Sequence, residues 1–252
     1  YVPDASRAVG LVTKLLSIDH AAGFKDEIAA DYVKVREQHA SKQGVKLLTL
    51  AAARGNASKL EYAPFKPRRP GLRPLCRIDL ATLARYIDWG PYFQTWDLAG
   101  RYPQLLDDAR VGEQARSVFA DAQAMLRQII DEQWLVANAV FGLFPANSVG
   151  DDIEIYADES RGKVLMTWHG LRQQHERPAG QPNLCLADFI APRGTPDYLG
   201  AFAVTAGIGI EAKLAEFEAQ HDDYRAIMLK SLADRLAEAA AEWLHERVRI
   251  QE

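Results

Sequence analysis

The sequence predicts an α+β fold in which a central antiparallel sheet is flanked by long helices. Three observations carry that expectation. Between Arg110 and Trp134, the residues Val111, Ala115, Val118, Phe119, Ala122, Met125, Leu126 and Ile129 form one apolar stripe at helical spacing. Five short apolar runs follow or adjoin it, Ala139–Phe144, Asp152–Tyr156, Val164–Trp168, Leu184–Phe189 and Tyr198–Thr205, separated by turn residues at hairpin distances. The chain then returns to helical spacing, with Met228, Leu229, Leu232, Leu236, Ala239 and Trp243 as a buried stripe. Helices, then strands, then helices is the order of an α+β domain.

Taken from the start, Tyr1-Val2-Pro3 reads as the end of a strand entering a helix. Asp4 or Ser6 caps that helix, which runs through Ala8, Leu11, Val12, Leu15 and Leu16. A second helical pattern sets Phe24, Ile28, Tyr32 and Val35 at four- and three-residue steps and fades toward Gly44. From 44 to 75 the chain carries Gly44, Gly55, Asn56, Pro64, Pro67, Pro70, Gly71 and Pro74. This is the composition of a linker or meandering arm, with at most a short helix over Leu50–Arg54. Asp79 suits the cap of a short helix through Leu83 and Tyr86. Asp88 opens another that has Pro91 in its first turn. A break at His221-Asp222-Asp223 separates a helix bearing Leu214 and Phe217 from the last one.

Composition excludes several classes. A length of 252 residues holds one large domain or two small ones, and 48% hydrophobic with 25% charged residues describes an ordinary globule. A net charge of −4 argues against a protein that tracks nucleic-acid phosphates. The basic run Lys66-Pro67-Arg68-Arg69-Pro70-Gly71-Leu72-Arg73 reads as a solvated linker. Cys76 and Cys185 show neither CxxC nor Cys/His spacing and read as buried free thiols of a reducing cytoplasm. No run approaches eighteen apolar residues and no signal segment opens the chain, so neither a membrane nor a nucleic acid is expected as partner.

Few constellations suggest chemistry. Gly207-Ile208-Gly209-Ile210-Glu211-Ala212 has the letters of a dinucleotide fingerprint, but no second parallel strand follows, so a plain strand-to-helix turn is expected. His221-Asp222-Asp223 and Asp151-Asp152-Ile153-Glu154 resemble metal-ligand runs. The first suits a helix start, and the second a hairpin turn with Glu154 on the wet face of its strand. His169 and His175 have no nucleophile nearby in sequence. No catalytic residue and no metal ligand is therefore assigned. Asp88 is the residue to watch. It sits in Ile87-Asp88-Trp89-Gly90-Pro91-Tyr92-Phe93-Gln94-Thr95-Trp96, four aromatics in ten residues, where an ionised carboxylate needs donors or a cation. A helix cap and a ligand contact are both open to it. By pattern, Glu238 lies about 120° from the final apolar stripe, the place of a solvated side chain.

Four segments together resemble the activation domain of cobalamin-dependent methionine synthases: Ile87–Trp96, the stretch Phe141-Gly142-Leu143-Phe144-Pro145-Ala146-Asn147-Ser148-Val149-Gly150-Asp151-Asp152-Ile153-Glu154-Ile155-Tyr156, Cys185–Phe189, and Gly200–Thr205. The likeness runs the length of the chain. It implies that residues 1–43 are the helical tail of a cobalamin-binding domain, 44–75 a linker, and 76–252 an activation domain truncated at its C-terminal end. In this family the module binds S-adenosylmethionine and re-methylates oxidised cobalamin while a flavodoxin-type partner supplies an electron. The parent enzyme, a cytoplasmic methyltransferase, passes a methyl group from methyltetrahydrofolate to homocysteine through cobalamin.

Carried over residue by residue, the resemblance assigns Asp88 and Glu238 to the S-adenosylmethionine site and places them on one cleft. Cobalamin and zinc would be bound by other parts of the parent. A later loop of the family, Arg-Pro-Ala-Pro-Gly-Tyr-Pro, is not among the 252 residues, so these residues alone are expected to bind the ligand weakly and not to methylate. The alternative is a stand-alone docking or scaffold protein of the same fold, which binds a corrinoid or flavoprotein partner without catalysis.

Overall fold

The computed structural model describes residues 5–17, 21–41 and 46–251. The segment Tyr1-Val2-Pro3 and the expected cap at Asp4 or Ser6 lie outside the residues and side chains described. The chain divides into two units: the residues up to Lys59 with Leu171–Cys185, and Leu60–Gly170 with Leu186–Glu252.

The first unit holds α1 (Ala5–Leu16), α2 (Ala21–Ser41) and α3 (Leu50–Gly55). Lys14 lies over the Phe24 ring, 5.1 Å from its centroid. Thr49 caps α3 by accepting from the Ala52 N–H at 3.2 Å. The excursion 171–185 is held by Asn183, which is fully buried. Its amide nitrogen donates to the carbonyls of Gln173 and His175, both at 2.8 Å, and its oxygen accepts from Asn56 Nδ2 at 2.7 Å. A buried amide keeps its place by filling every donor and acceptor, and Asn183 does so while tying the excursion to the end of α3.

The second unit is the expected α+β body. Its sheet comprises β1 (Gly71–Ile78), β2 (Val136–Val149), β3 (Asp152–Tyr156), β4 (Val164–Trp168) and β5 (Asp197–Ile208), and every pairing is antiparallel. β2 is the spine. It pairs along most of its length with β5; on its other side β1 covers Ala137–Leu143 and β3 covers Ala146–Val149.

Three strand expectations need correction. Where Pro70, Gly71 and Pro74 suggest that the linker runs on to 75, β1 already begins at Gly71; it is an edge strand, where a missing N–H is tolerated. β2 is longer than Ala139–Phe144. Pro145 falls between the last β1 partner, Leu143, and the first β3 partner, Ala146, so it sits where that side of β2 asks for no donor. Leu184–Phe189 is not a strand: it turns into a 3-10 helix over Leu186–Phe189.

The helices α4 (Leu80–Ala84), α5 (Trp89–Thr95), α6 (Gly112–Asp131), α7 (Ile210–Ala219) and α8 (Asp223–Gln251) build one core with the sheet. Ala115, Val118, Ala122, Met125, Leu126 and Ile129 of α6 are buried, as their spacing predicts. On the sheet, Ala137, Ala139, Phe141 and Leu143 of β2, with Val204 and Ala206 of β5, face the helices. Tyr224 in the first turn of α8 donates to Asp121 of α6 at 2.8 Å. Burial, together with that bond, pushes its phenol up to about 12. Gly209 ends β5 with φ of 97°, and a Cβ there would lie 3.0 Å from the Trp134 carbonyl oxygen. The Gly207–Ala212 letters thus make an antiparallel strand-to-helix turn, and the chain stays helical from Asp223 to Gln251.

Among the described residues no helix is long and apolar enough to cross a membrane. Cys185 is buried, whereas Cys76, on the edge strand β1, is exposed, contrary to the reading of both thiols as buried.

Glu154 also departs from expectation. Rather than projecting freely from a wet face, its side chain is only 14% exposed. Arg193 covers it, donating from Nε to Oε2 at 2.9 Å and from Nη2 to Oε1 at 2.5 Å, and Tyr156 adds a third donor at 3.0 Å. The Arg193 guanidinium holds this carboxyl below its ordinary value of 4.5. A carboxyl with a lowered folded pKa binds fewer protons in the folded state, so the pair stabilises the fold above about pH 4.5 and the contribution is lost as pH falls through the folded value. Melting temperatures measured from pH 7 to pH 3 should therefore converge for wild type and Arg193→Met at the acid end and separate at neutral pH. Parallel curves across that range would mean that the pair contributes nothing.

Candidate functional site

The aromatic-rich segment resolves into two kinds of residue. Trp89, Tyr92 and Phe93 of α5 are buried. Trp89 meets Tyr92 edge-on at 5.4 Å and Phe119 of α6 at 4.9 Å, while Phe93 stacks on Tyr102 at 5.9 Å. These rings anchor α5, and burial of large aromatics with edge contacts is among the strongest local anchors available. Asp88, one residue before them, turns the other way. It is the N-cap of α5, with extended backbone, and its Oδ1 accepts from the Gly90 N–H at 2.9 Å. The carboxylate is exposed, so it meets no desolvation cost from the rings beside it.

Glu238 is exposed on α8, flanked by Leu236, Ala239 and Ala240, which are buried. α5 and α8 pack against each other, so the helix capped by Asp88 and the helix bearing Glu238 share one interface. The two carboxylates make no bond to each other. Among the described residues, apart from the cap bond of Asp88, neither takes a hydrogen bond or ion pair, which leaves three carboxylate oxygens open to a cation.

The pattern reading missed a further feature of the same region. Tyr86, two residues before Asp88, donates to Glu246 Oε2 of α8 at 2.6 Å, and this bond raises the phenol above its ordinary value of 10.0. A shallow cleft of about 490 Å³ opens here, lined by Tyr86, Glu242, His245, Glu246, Arg249 and Ile250. Asp88 and Glu238 stand outside this lining. The signal was present in sequence: Glu238, Glu242 and Glu246 follow one another at four-residue steps, the spacing that keeps helical side chains on one face.

The metal-like runs have structural duties. Asp222 accepts from the Arg225 N–H at 3.0 Å, as a helix start requires, and Glu154 is held by Arg193. His169 pairs with Asp152 at 3.1 Å. Among the described residues no three His, Cys, Asp or Glu side chains converge as metal ligands would.

Fold and site together define an α+β domain whose long last helix presents a row of carboxylates beside an aromatic-anchored turn. A family model described as vitamin B12 dependent methionine synthase, activation domain, matches residues 79–252. The chain belongs to that family. It is also similar to the crystal structure of the MetH reactivation domain bound to AdoHcy, at 52% sequence identity and a TM-score of 0.75. That match covers 81% of this chain and 63% of the other, so the chain spans less than two thirds of the length of that relative.

Proposed function

We propose that this chain contributes the S-adenosylmethionine-binding region of a cobalamin-dependent methionine synthase, used when oxidised cobalamin must be re-methylated. The observation that carries this reading is the pair of exposed carboxylates, Asp88, which takes only its cap bond from Gly90, and Glu238, on two helices packed together. The ligand has an ammonium and a sulfonium, and free carboxylates near one interface suit both. Support comes also from the relative crystallised with AdoHcy, the demethylated counterpart of the proposed ligand.

Within this proposal, S-adenosylmethionine supplies the methyl group when bound. The protein's part is to hold and orient it. Loss of the methyl turns the sulfonium into a neutral thioether, so carboxylates aimed at the sulfur would favour the substrate over its product. Residues 1–43 would belong to the cobalamin-binding domain of the parent and 44–75 to a linker, with 76–252 as the activation domain. A flavodoxin-type protein would supply the electron, and no residue here is assigned to cobalamin or zinc.

The test is a calorimetric titration of the chain with S-adenosylmethionine and with S-adenosylhomocysteine. Asp88→Asn and Glu238→Gln should each weaken the methylated ligand by about tenfold or more, at about 1.5–3 kcal/mol per charge-assisted contact. The demethylated ligand should suffer less from whichever residue faces the sulfur. Equal, small effects on both ligands would remove these residues from the site. Binding of neither ligand, by this chain or by one extended through the Arg-Pro-Ala-Pro-Gly-Tyr-Pro loop, would favour the docking or scaffold reading.

A further inference from the structure

Residues 46–56, expected as part of a linker, lie docked on 171–184 by hydrogen bonds within one unit. At one end the Leu48 N–H donates to the Gln174 carbonyl at 2.7 Å, and the Glu176 N–H to that of Lys46 at 3.1 Å. At the other end stands an asparagine pair. The Asn183 N–H donates to the Asn56 carbonyl at 2.9 Å, and Asn56 Nδ2 donates to Asn183 Oδ1 at 2.7 Å. Arg172 Nη1 reaches the Asn183 carbonyl at 2.7 Å. With its amide bonds to Gln173 and His175, Asn183 has every polar group engaged. Apolar burial adds little. Within 46–59 and 171–185 only Ala53, Arg172, Asn183 and Cys185 are buried, whereas Leu47 and Leu50 are exposed. A segment held by hydrogen bonds over so small a core belongs to the part of a protein that opens before the rest unfolds.

We propose that Asn56 and Asn183 form a catch: closed, it fixes residues 46–56 on 171–184, and open, it frees that arm as one piece while the α+β body stays folded. Paired amides suit a catch. The two residues lie 127 positions apart, so no local helix or hairpin holds them together. Losing either leaves the other short of a partner, and at the buried Asn183 that favours release of the whole contact. Once released, the six-residue α3 is too short to persist alone. The next fixed points along the chain are Tyr62, whose hydroxyl donates to the Asp188 carbonyl at 2.9 Å, and Lys66, 3.4 Å from Glu159. Opening therefore turns residues 46–59 into a tether, with a span of roughly 20 Å for a flexible chain of that length. On the functional reading above, α1 and α2 are the tail of a cobalamin-binding domain, and the catch governs how far that domain can range. The catch itself rests on bonds that the chain already makes and not on that reading.

The test is native-state hydrogen exchange on the full chain, with Asn183→Ala and Asn56→Ala beside wild type. In wild type the amides of Leu48, Glu176 and Asn183 should share one protection factor, well below that of Ala139–Leu143 in β2. Both variants should lower protection at Leu48 and Glu176 by about tenfold or more, although neither altered side chain bonds to those amides. Protection in β2 should not move. Trypsin gives a second readout, since cleavage after Arg54 or Lys59 should quicken by a similar factor. Unchanged protection at Leu48 and Glu176 in either variant overturns the proposal, because the asparagines would then fill only their own places. So does a loss of protection throughout β2, which would mean that the arm cannot open apart from the body. Widely different protection of the three wild-type amides, or cleavage that does not quicken, overturns it as well.

Discussion

Phe93→Ala should lower the stability of the α+β body by about 3–5 kcal/mol, the usual cost of removing a fully buried phenylalanine. The ring has no exposure and contacts Tyr92, Tyr102 and Phe119 at 5.7–5.9 Å, so three other rings lose a partner at once. With a urea m-value of about 3 kcal/mol/M, the unfolding midpoint should fall by about 1–1.7 M. The loss also reaches the proposed ligand site, since α5, which Asp88 caps, shares one core with α8. Phe93→Leu, which refills much of the space, should recover more than half of the loss. A midpoint shift below about 0.3 M for Phe93→Ala would mean that α5 is not anchored through this ring.

Asn147→Leu should cost a comparable amount for a different reason. Asn147 is 2% exposed on β2. Its Nδ2 lies 3.0 Å from the carbonyl oxygens of Ala191 and Pro192 and 2.7 Å from that of Thr195. Its Oδ1 accepts from Arg161 Nη1 at 3.0 Å. Leucine has similar volume but leaves these groups without their partner, at about 1–3 kcal/mol for each buried group left unsatisfied. A total near 3–5 kcal/mol follows, after the loop relaxes toward water. Asn147→Asp separates the two halves of the interaction, since it keeps an acceptor for Arg161 while turning both donors into oxygen facing carbonyls. It should be at least as damaging as leucine at neutral pH. If both variants unfold within about 0.5 kcal/mol of wild type, the loop at 191–195 is not held by this amide.

Much of this architecture was legible from residue order. The α6 and α8 stripes, the caps at Asp79 and Asp88 and the strands Asp152–Tyr156 and Val164–Trp168 fall where period and turn chemistry put them. Local rules failed where tertiary context overrides them. Pro74 and Pro145 argue against strands in isolation, and are tolerated because β1 is an edge and because β2 has a gap between two partners. Leu184–Phe189 alternates buried and exposed residues over Cys185, Leu186 and Ala187 as a strand does, yet no neighbour offers it a ladder, and it closes into a 3-10 turn. Glu154 and Arg193 are 39 residues apart, a distance across which pattern carries no information. As for the site, the capping role of Asp88 could be read locally. Glu238 looks like any solvated residue on a helix, and only the family resemblance sets it apart.

The long strand β2 has a consequence for the order in which the molecule can assemble. Ser148 pairs with Ile153 only five positions on, whereas Phe141 pairs with Arg73 68 positions earlier and Phe202 61 positions later. Closing the larger loops costs about 2 kcal/mol more entropy than closing the hairpin, at about 0.6 kcal/mol for each doubling of length. The hairpin β2–β3 can therefore form early on its own, while β1 and β5 must wait for the helices between to bring them in. Until they arrive, one side of an uncharged fourteen-residue strand stands open and the other is covered only at its far end. The nascent chain is thus most prone to sticking to its neighbours during this interval, and its yield on refolding should depend on how dilute it is kept.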